Sequence, residues 1–288
     1  MQIAMTGATG FVGSHLCRRL EQEGHQLVKL GRRDCQAGVA ALAERIQGCD
    51  AVINLAGENI SQRWTESYMR ALYDSRVVTT RTLVEAMGRL ERRPDLFIST
   101  SAMGAFDSEG RYSEADPPNA SGFFGQLTRD WEAAARQAEE LGIRTLIFRF
   151  SLVLGRDGGI MKPLLLPFRL GLGGPVGDGR QPFSWIHIDD LVRAYIFAMA
   201  HPELNGIYHL SAPDPMTNRQ FSQALGRQLH RPALLPVPLF ALKLLFGKKG
   251  AEALASGQYL IAQRLPDAGY HFQYDTLAKA LAEITSKV

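Results

Sequence analysis

Cysteine is scarce in this chain: three residues in 288, at positions 17, 35 and 49. An odd number, with no CxxC pair and no Cys/His ligand spacing, argues against a disulfide framework and a structural metal, and fits a reducing compartment. Long apolar runs are also missing. None reaches the roughly 18 residues that a membrane span needs, so no membrane partner is expected. The opening Met1-Gln2-Ile3-Ala4-Met5 passes at once into a strand-like stretch and a glycine loop. That leaves no room for a signal peptide, and the expected location is the cytoplasm. Neither sign of charge dominates. The 32 Lys and Arg residues are scattered among 29 Asp and Glu, for a net +3. Generic attraction to nucleic acid therefore has no basic face to rest on. Internal repeats and low-complexity segments are absent as well.

What is present suits a sizeable core, since 45% of the residues are hydrophobic. One large α/β domain fits, alone or with a smaller lobe. Residues 3–6 read as a short buried strand, and 11–23 as a helix with Val12, Leu16 and Leu20 on one face and Gly24 at its end. Strand patterns recur at 27–30, 51–56, 96–99 and 145–150, with helical stretches at 65–87 and around 131–141 between them. Alternation of this kind implies βαβ crossovers and a parallel sheet. Gly and Pro punctuate 155–182, which reads as an irregular excursion over the sheet edge. A strand and helix return at 186–200, and Thr217 with Gln220 forms a capping-box pattern. Pro236 and Pro238 mark a linker to a small helical remainder that ends in an amphipathic segment at 275–284. The expected fold is α/β: a Rossmann-type doubly wound parallel sheet on 1–155 plus 183–205, with a smaller, mostly helical C-terminal lobe on 156–182 plus 206–288.

The strongest local signal is Gly7-Ala8-Thr9-Gly10-Phe11-Val12-Gly13, which follows a strand and opens a helix. Gly7 permits the tight turn, Gly10 lets backbone approach a pyrophosphate, and Gly13 lets helix and strand pack closely. Unpaired N–H groups at the helix start, reinforced by the helix dipole, favour the phosphate charge. Gly7, Thr9, Gly10, Phe11, Val12 and Gly13 are thus candidate dinucleotide ligands. At the end of the second strand an acid would bond a free ribose 2′-OH, whereas arginine accommodates a 2′-phosphate. Here the chain reads Gly31-Arg32-Arg33-Asp34. The forked donors of Arg32 and Arg33 favour NADP(H); a shift of the strand end by a residue or two would bring Asp34 to the ribose and favour NAD(H).

These residues resemble an extended short-chain dehydrogenase/reductase. The resemblance rests on TGATGFVG at 6–13, Asn54-Leu55-Ala56-Gly57 at a cofactor-lining strand end, Arg149 with Val153-Leu154-Gly155, and WIHIDDL at 185–191. GENISQRWT at 57–65, DSRVVTTRTLVEA at 74–86, GGIMKPLLLPFRLGLGGPVGDGRQ at 158–181 and DAGYHFQY at 267–274 narrow it. They are similar to an atypical epimerase-like family with a C-terminal domain of unknown function, whose members are sometimes labelled cell-division inhibitors. The resemblance implies cofactor contacts from Leu55, Ala56, Gly57, Thr100 and Arg149.

It also implies a catalytic Ser, Tyr and Lys, with the last two spaced YxxxK and a Glu four residues on. Ser101 stands where the Ser is expected, though a strand-end Ser also caps turns. Anchored on Trp131-Glu132, the Lys place holds Thr128 and the Tyr place holds Phe124. Phenylalanine has no proton to exchange and threonine no charge, so keto-reduction through a Tyr/Lys pair is not supported. Arg76 stands where the superfamily often has Asn. Tyr112 is the nearest alternative phenol or a loop residue, and Glu58 an alternative acid/base or a solvated capping carboxylate. Arg63 and Trp64 read as a substrate wall or as interdomain packing, His187 as a hydrogen-bonded structural residue, and Asp189 and Asp190 as helix caps. Two functions follow. One is an NADP-dependent oxidoreductase or epimerase on an unidentified small molecule; the other is a non-catalytic dinucleotide-binding regulator or redox sensor.

Overall fold

The computed structural model describes residues 1–108 and 110–286. Its N-terminal half alternates as the apolar periodicity requires: β1 (Gln2–Thr6), α1 (Phe11–Gln22), β2 (Gln26–Leu30), α2 (Arg32–Gln36), α3 (Val39–Ile46) and β3 (Ala51–Asn54). Next come α4 (Glu66–Tyr73), a π-helical turn (Asp74–Val78), α5 (Thr79–Gly88), β4 (Leu96–Ala102), a 3-10 turn (Met103–Ala105), β5 (Arg111–Tyr112), α6 (Gly122–Glu140) and β6 (Arg144–Phe150). The second half holds β7 (Leu152–Gly155), β8 (Gly158–Gly159), α7 (Met161–Arg169), β9 (Pro182–Phe183), β10 (Trp185–His187) and α8 (Ile188–Ala200). It closes with β11 (Gly206–Leu210), β12 (Met216–Thr217), α9 (Asn218–Gln228), α10 (Leu239–Ala255), β13 (Tyr259–Leu260), α11 (Arg264–Asp267) and α12 (Leu277–Thr285).

Six strands form the central sheet in the order β11-β6-β4-β3-β1-β2, every pair parallel. Strand order reverses between β1 and β3, and that reversal opens the crevice in which doubly wound folds bind ligands. Both faces are covered. Leu16, Cys17 and Leu20 of α1 and Leu191, Ala194, Tyr195 and Ala198 of α8 pack one side. Leu42 and Ile46 of α3, Leu83 and Met87 of α5, and Ala135 and Ala138 of α6 pack the other. Burial from two sides is why β3 reads Ala-Val-Ile-Asn without alternation, all four residues buried. A separate core joins Trp185, Phe183, Phe221, Met161, Phe168, Leu281 and Ile284 under the C-terminal lobe. No helix among the described residues is long and apolar enough to cross a membrane.

Three differences from the sequence reading have physical causes. Residues 206–210, which the sequence reading counts with the lobe, pair with β6 as the last strand of the main sheet. The excursion at 155–182 contains the nine-residue helix α7 despite Pro163 and Pro167. Pro163 falls in its first turn, where the missing N–H leaves no gap, and Met161, Leu165 and Phe168 bury its inner face. The long helix at 65–87 is three segments: Thr65 caps α4 by accepting the Tyr68 N–H, and the π turn interrupts the run before α5. The Thr217–Gln220 capping box forms as expected.

Candidate functional site

The glycine loop is built for close approach. Gly7 sits at φ +66°, and a Cβ there would lie 2.4 Å from the Leu55 carbonyl oxygen. At Gly13 a Cβ would lie 2.1 Å from the Gly7 carbonyl oxygen, so α1 and the turn touch backbone to backbone. Gly10 is the N-cap of α1, with no side-chain cap and no acid in the first turn. The start of α1 is therefore an uncompensated positive helix end, and Thr9 and Gly10 are exposed beside it. The Phe11 ring packs against Gly155 and Gly158 and stands edge-on to His15. Its backbone belongs to the loop and its side chain to the entry of the lobe.

Beside the loop, the ends of β1 and β3 are locked together. Thr6 Oγ1 donates to Asn54 Oδ1 at 2.7 Å and accepts the N–H groups of Leu55 and Ala56, each at 3.1 Å. Asn54 Nδ2 donates in turn to Thr80 Oγ1 at 2.8 Å. Thr100, at the neighbouring strand end, lies 3.2 Å from the Tyr195 hydroxyl, whose pKa burial raises above the ordinary phenol range.

At the end of β2, Asp34 turns back. Its Oδ2 accepts the Gly31 N–H at 2.7 Å and its Oδ1 lies 3.3 Å from Arg45 Nε. Arg32 and Arg33 are exposed, and Arg32 Nη2 donates to Glu58 Oε2 at 2.7 Å. Gly57 rests on Arg76, where a Cβ would come within 3.1 Å of the guanidinium carbon. Arg76 lies over the Trp131 ring at 5.5 Å and donates to the carbonyls of Leu72 and Glu58. Burial pushes its guanidinium down to about 10.

The positions implied for catalysis look different in three dimensions. Ser101 is 1% exposed, and its Oγ donates to Glu132 Oε1 at 2.6 Å. Glu132 also receives a two-pronged contact from Arg149, at 2.7 and 2.8 Å. The hydroxyl hydrogen of Ser101 is thus committed, and Arg149 neutralises a buried carboxylate where the sequence reading had it facing the cofactor. Behind them His209 Nδ1 donates to the Ile261 carbonyl at 3.0 Å, and its Nε2 lies 3.5 Å from Arg149 Nη1. Burial, then the Arg149 charge, pushes its imidazole down to about 3. Sequence reading missed this residue, although the apolar run Ile207-Tyr208-His209-Leu210 carries the signal of a buried strand.

Phe124 and Thr128 lie one turn apart on α6 and both face Gly104. Trp64 stands edge-on to Phe124 at 4.9 Å and to Phe123 at 6.0 Å. The Trp64 N–H donates to the Phe246 carbonyl, and Arg63 donates to the Leu244 carbonyl, so this segment joins the sheet domain to α10. Tyr112 stacks on Phe106 at 4.4 Å, and its hydroxyl accepts from Asn119 at 3.3 Å. His187 is buried and caps α8 by accepting the Asp189 N–H at 3.3 Å, with Glu283 at 3.1 Å on its other nitrogen. Asp190 is no cap. Fully buried, it accepts the N–H groups of Gln273 and Tyr274, each at 2.8 Å, and anchors the C-terminal segment. Among the described residues no group of three or more His, Cys, Asp or Glu side chains is arranged to hold a metal.

Comparison with known proteins bears on this geometry. Residues 3–210 match the NAD dependent epimerase/dehydratase family, and 237–284 match a domain of unknown function, DUF1731. The chain is 36% identical to the human epimerase family protein SDR39U1, over 99% of this chain and 100% of that protein. It is 34% identical to the chloroplastic SDR39U1 homologue of Arabidopsis thaliana, over 99% of this chain and 86% of that one. The crystal structure of human SDR39U1 (isoform 2) with NADPH superposes with a TM-score of 0.89 at 34% identity, covering 99% of each chain. UDP-glucose 4-epimerase of Thermotoga maritima has the same fold, with a TM-score of 0.78 at 19% identity over 99% of this chain and 97% of that one.

Proposed function

The chain belongs to the NAD dependent epimerase/dehydratase family, and on that footing we propose that it binds NADP(H) along the carboxyl edge of its sheet, at the β1/β3 reversal. The cradle fits the group. A dinucleotide pyrophosphate would meet the uncapped start of α1 over Gly7, Thr9, Gly10, Phe11, Val12 and Gly13, and Leu55, Ala56, Gly57 and Thr100 would line the adjoining edge. One observation carries the choice of cofactor: Asp34 is folded back on Gly31 while the Arg32 side chain stands exposed, paired with Glu58. A 2′-phosphate then meets the forked cation of Arg32, with Asp34 turned away from it. The human relative crystallised with NADPH supports the same choice. When bound, the nicotinamide supplies hydride exchange.

The activity that suits this edge is oxidoreductase or epimerase chemistry on a small molecule, with proton transfer outside a Tyr/Lys pair. A second reading, a regulator or redox sensor that binds the dinucleotide without turnover, is favoured by one specific observation. Ser101 donates its hydroxyl hydrogen bond to Glu132, and Phe124 and Thr128 hold the acid/base positions. Calorimetric titration with NADPH, NADH and their oxidised forms tests the shared part. NADPH is expected to bind more tightly than NADH, and Arg32→Ala to weaken NADPH by about tenfold while sparing NADH. Failure of all four to bind overturns the reading. Nicotinamide absorbance across a panel of carbonyl compounds and sugar nucleotides then separates the two activities: oxidation of NADPH supports the enzyme, and silence with cofactor bound supports the sensor.

A further inference from the structure

Glu58 is a half-buried residue whose backbone is fixed on both sides. Its N–H donates to Ser75 Oγ at 2.9 Å, and its carbonyl accepts from Arg76 Nη2 at 3.0 Å. Ser75 and Arg76 are consecutive residues of the π turn, a kind of helix irregularity that clusters at functional positions. Two arginines therefore reach Glu58, and they divide it. The half-buried Arg76 takes the carbonyl and lies over Trp131, so the carboxylate is left for the exposed Arg32, at 2.7 Å. The two partners differ in freedom. The Arg32 side chain is 74% exposed and that of Glu58 is 22% exposed. The acid is the fixed half of the pair and the arginine the movable half.

We propose that Glu58 sets the discrimination between NADPH and NADH, as an internal counterion that a ribose 2′-phosphate must displace from Arg32. The inference rests on the NADP(H) reading above. A phosphate monoester carries a charge of about −1.5 to −2 and three acceptor oxygens, so it outcompetes a single carboxylate for a guanidinium. A ribose 2′-hydroxyl has no charge and leaves the Arg32–Glu58 pair in place. Once displaced, the carboxylate stays tethered to a backbone that Ser75 and Arg76 hold next to Arg32, so its charge remains near the phosphate and repels it. Glu58 thus weakens NADPH binding and leaves NADH binding nearly untouched. It holds the preference for the phosphorylated cofactor below what Arg32 alone would give. Asp34 does not share this role, since its carboxylate faces Gly31 and Arg45.

The test is calorimetric titration of wild type, Glu58→Gln, Arg32→Ala and the double variant with NADPH and with NADH at one fixed salt concentration. Glutamine keeps the shape and both backbone contacts, and Glu58→Ala serves as a second variant. Removing the carboxylate is expected to tighten NADPH by about three- to fivefold, the scale of an exposed ion pair, and to move NADH by less than about twofold. In the Arg32→Ala background the NADPH gain shrinks, because no pair remains to be broken. If wild type binds NADPH selectively and Glu58→Gln changes neither cofactor, or tightens both equally, the inference is overturned and the cofactor reading stands. If wild type binds neither cofactor, both fall together.

Discussion

Ser101 and Glu132 share a 2.6 Å hydrogen bond beneath the end of β4, and Arg149 closes the other side of the same carboxylate. All three are almost fully buried. A buried carboxylate is tolerated while its charge and lone pairs are satisfied, and removing one partner leaves an uncompensated charge. Arg149→Met is therefore expected to lower stability by about 3–5 kcal/mol. Adding Glu132→Leu to Arg149→Met removes the stranded charge and should restore much of that loss. Urea unfolding midpoints of the two variants decide the matter; a double variant weaker than Arg149→Met would mean that the ion pair contributes packing and not charge compensation.

His209 makes stability depend on pH. Its folded imidazole is pushed down to about 3, by burial first and the Arg149 charge second. In the unfolded chain a histidine titrates near about 6.5. Between those values the unfolded state binds a proton that the folded state refuses, so the contribution is complete above about pH 6.5 and is lost as pH falls toward 3. Hydrogen bonds also hold Asp50 and Asp116 below the usual carboxylate range, but their losses begin only below about pH 5. Wild type should thus lose stability between about pH 7 and pH 5, and His209→Asn should flatten that slope. Urea midpoints across the interval measure it, and equal slopes would remove His209 from the account.

Much of the fold was legible because its signals are local. Gly7, Gly10 and Gly13 lie within seven residues, and the apolar strands of a doubly buried sheet announce themselves without partners. The site was less legible because its partners are distant in sequence. Glu132 and Arg149 meet across 17 positions and Arg32 and Glu58 across 26. Nothing near Arg149 signals a buried acid, and only the family resemblance implies a ligand there. Asp190 sits where a cap belongs, yet its partners Gln273 and Tyr274 arrive more than 80 residues later. In α7 the prolines spoke louder than the apolar face that overrides them.

Restoring the missing pair tests how far the site has been rebuilt. Phe124 is half-buried, and Phe124→Tyr should change stability by less than about 1 kcal/mol. Thr128 is 2% exposed and packs beside Gly104, so Thr128→Lys forces an ammonium into a closed interface. A loss of about 2–4 kcal/mol is expected there. The double variant should gain no turnover, since Ser101 still donates to Glu132. Thermal melts and nicotinamide absorbance read both effects; a stable double variant that oxidises NADPH would show the machinery to be only two side chains away.

The loop glycines separate folding from binding. Gly10 has φ −73°, which any L-residue adopts, and its Cβ would meet only the Gly7 oxygen, at 3.2 Å. A methyl group there is tolerated by the protein but stands at the uncapped start of α1, where a pyrophosphate must approach. Gly10→Ala should hold the melting midpoint near that of wild type while weakening NADPH by at least about tenfold. At Gly13 the added carbon would sit 2.1 Å from the Gly7 oxygen, a backbone atom that cannot rotate aside. Gly13→Ala must then part α1 from the turn, with an overpacking loss of about 1–3 kcal/mol or more, and binding falls as a consequence. Melting and titration of the two variants side by side distinguish these fates. A Gly10→Ala protein that melts early, or binds NADPH as wild type does, would mean that the loop serves packing and that the dinucleotide lies elsewhere.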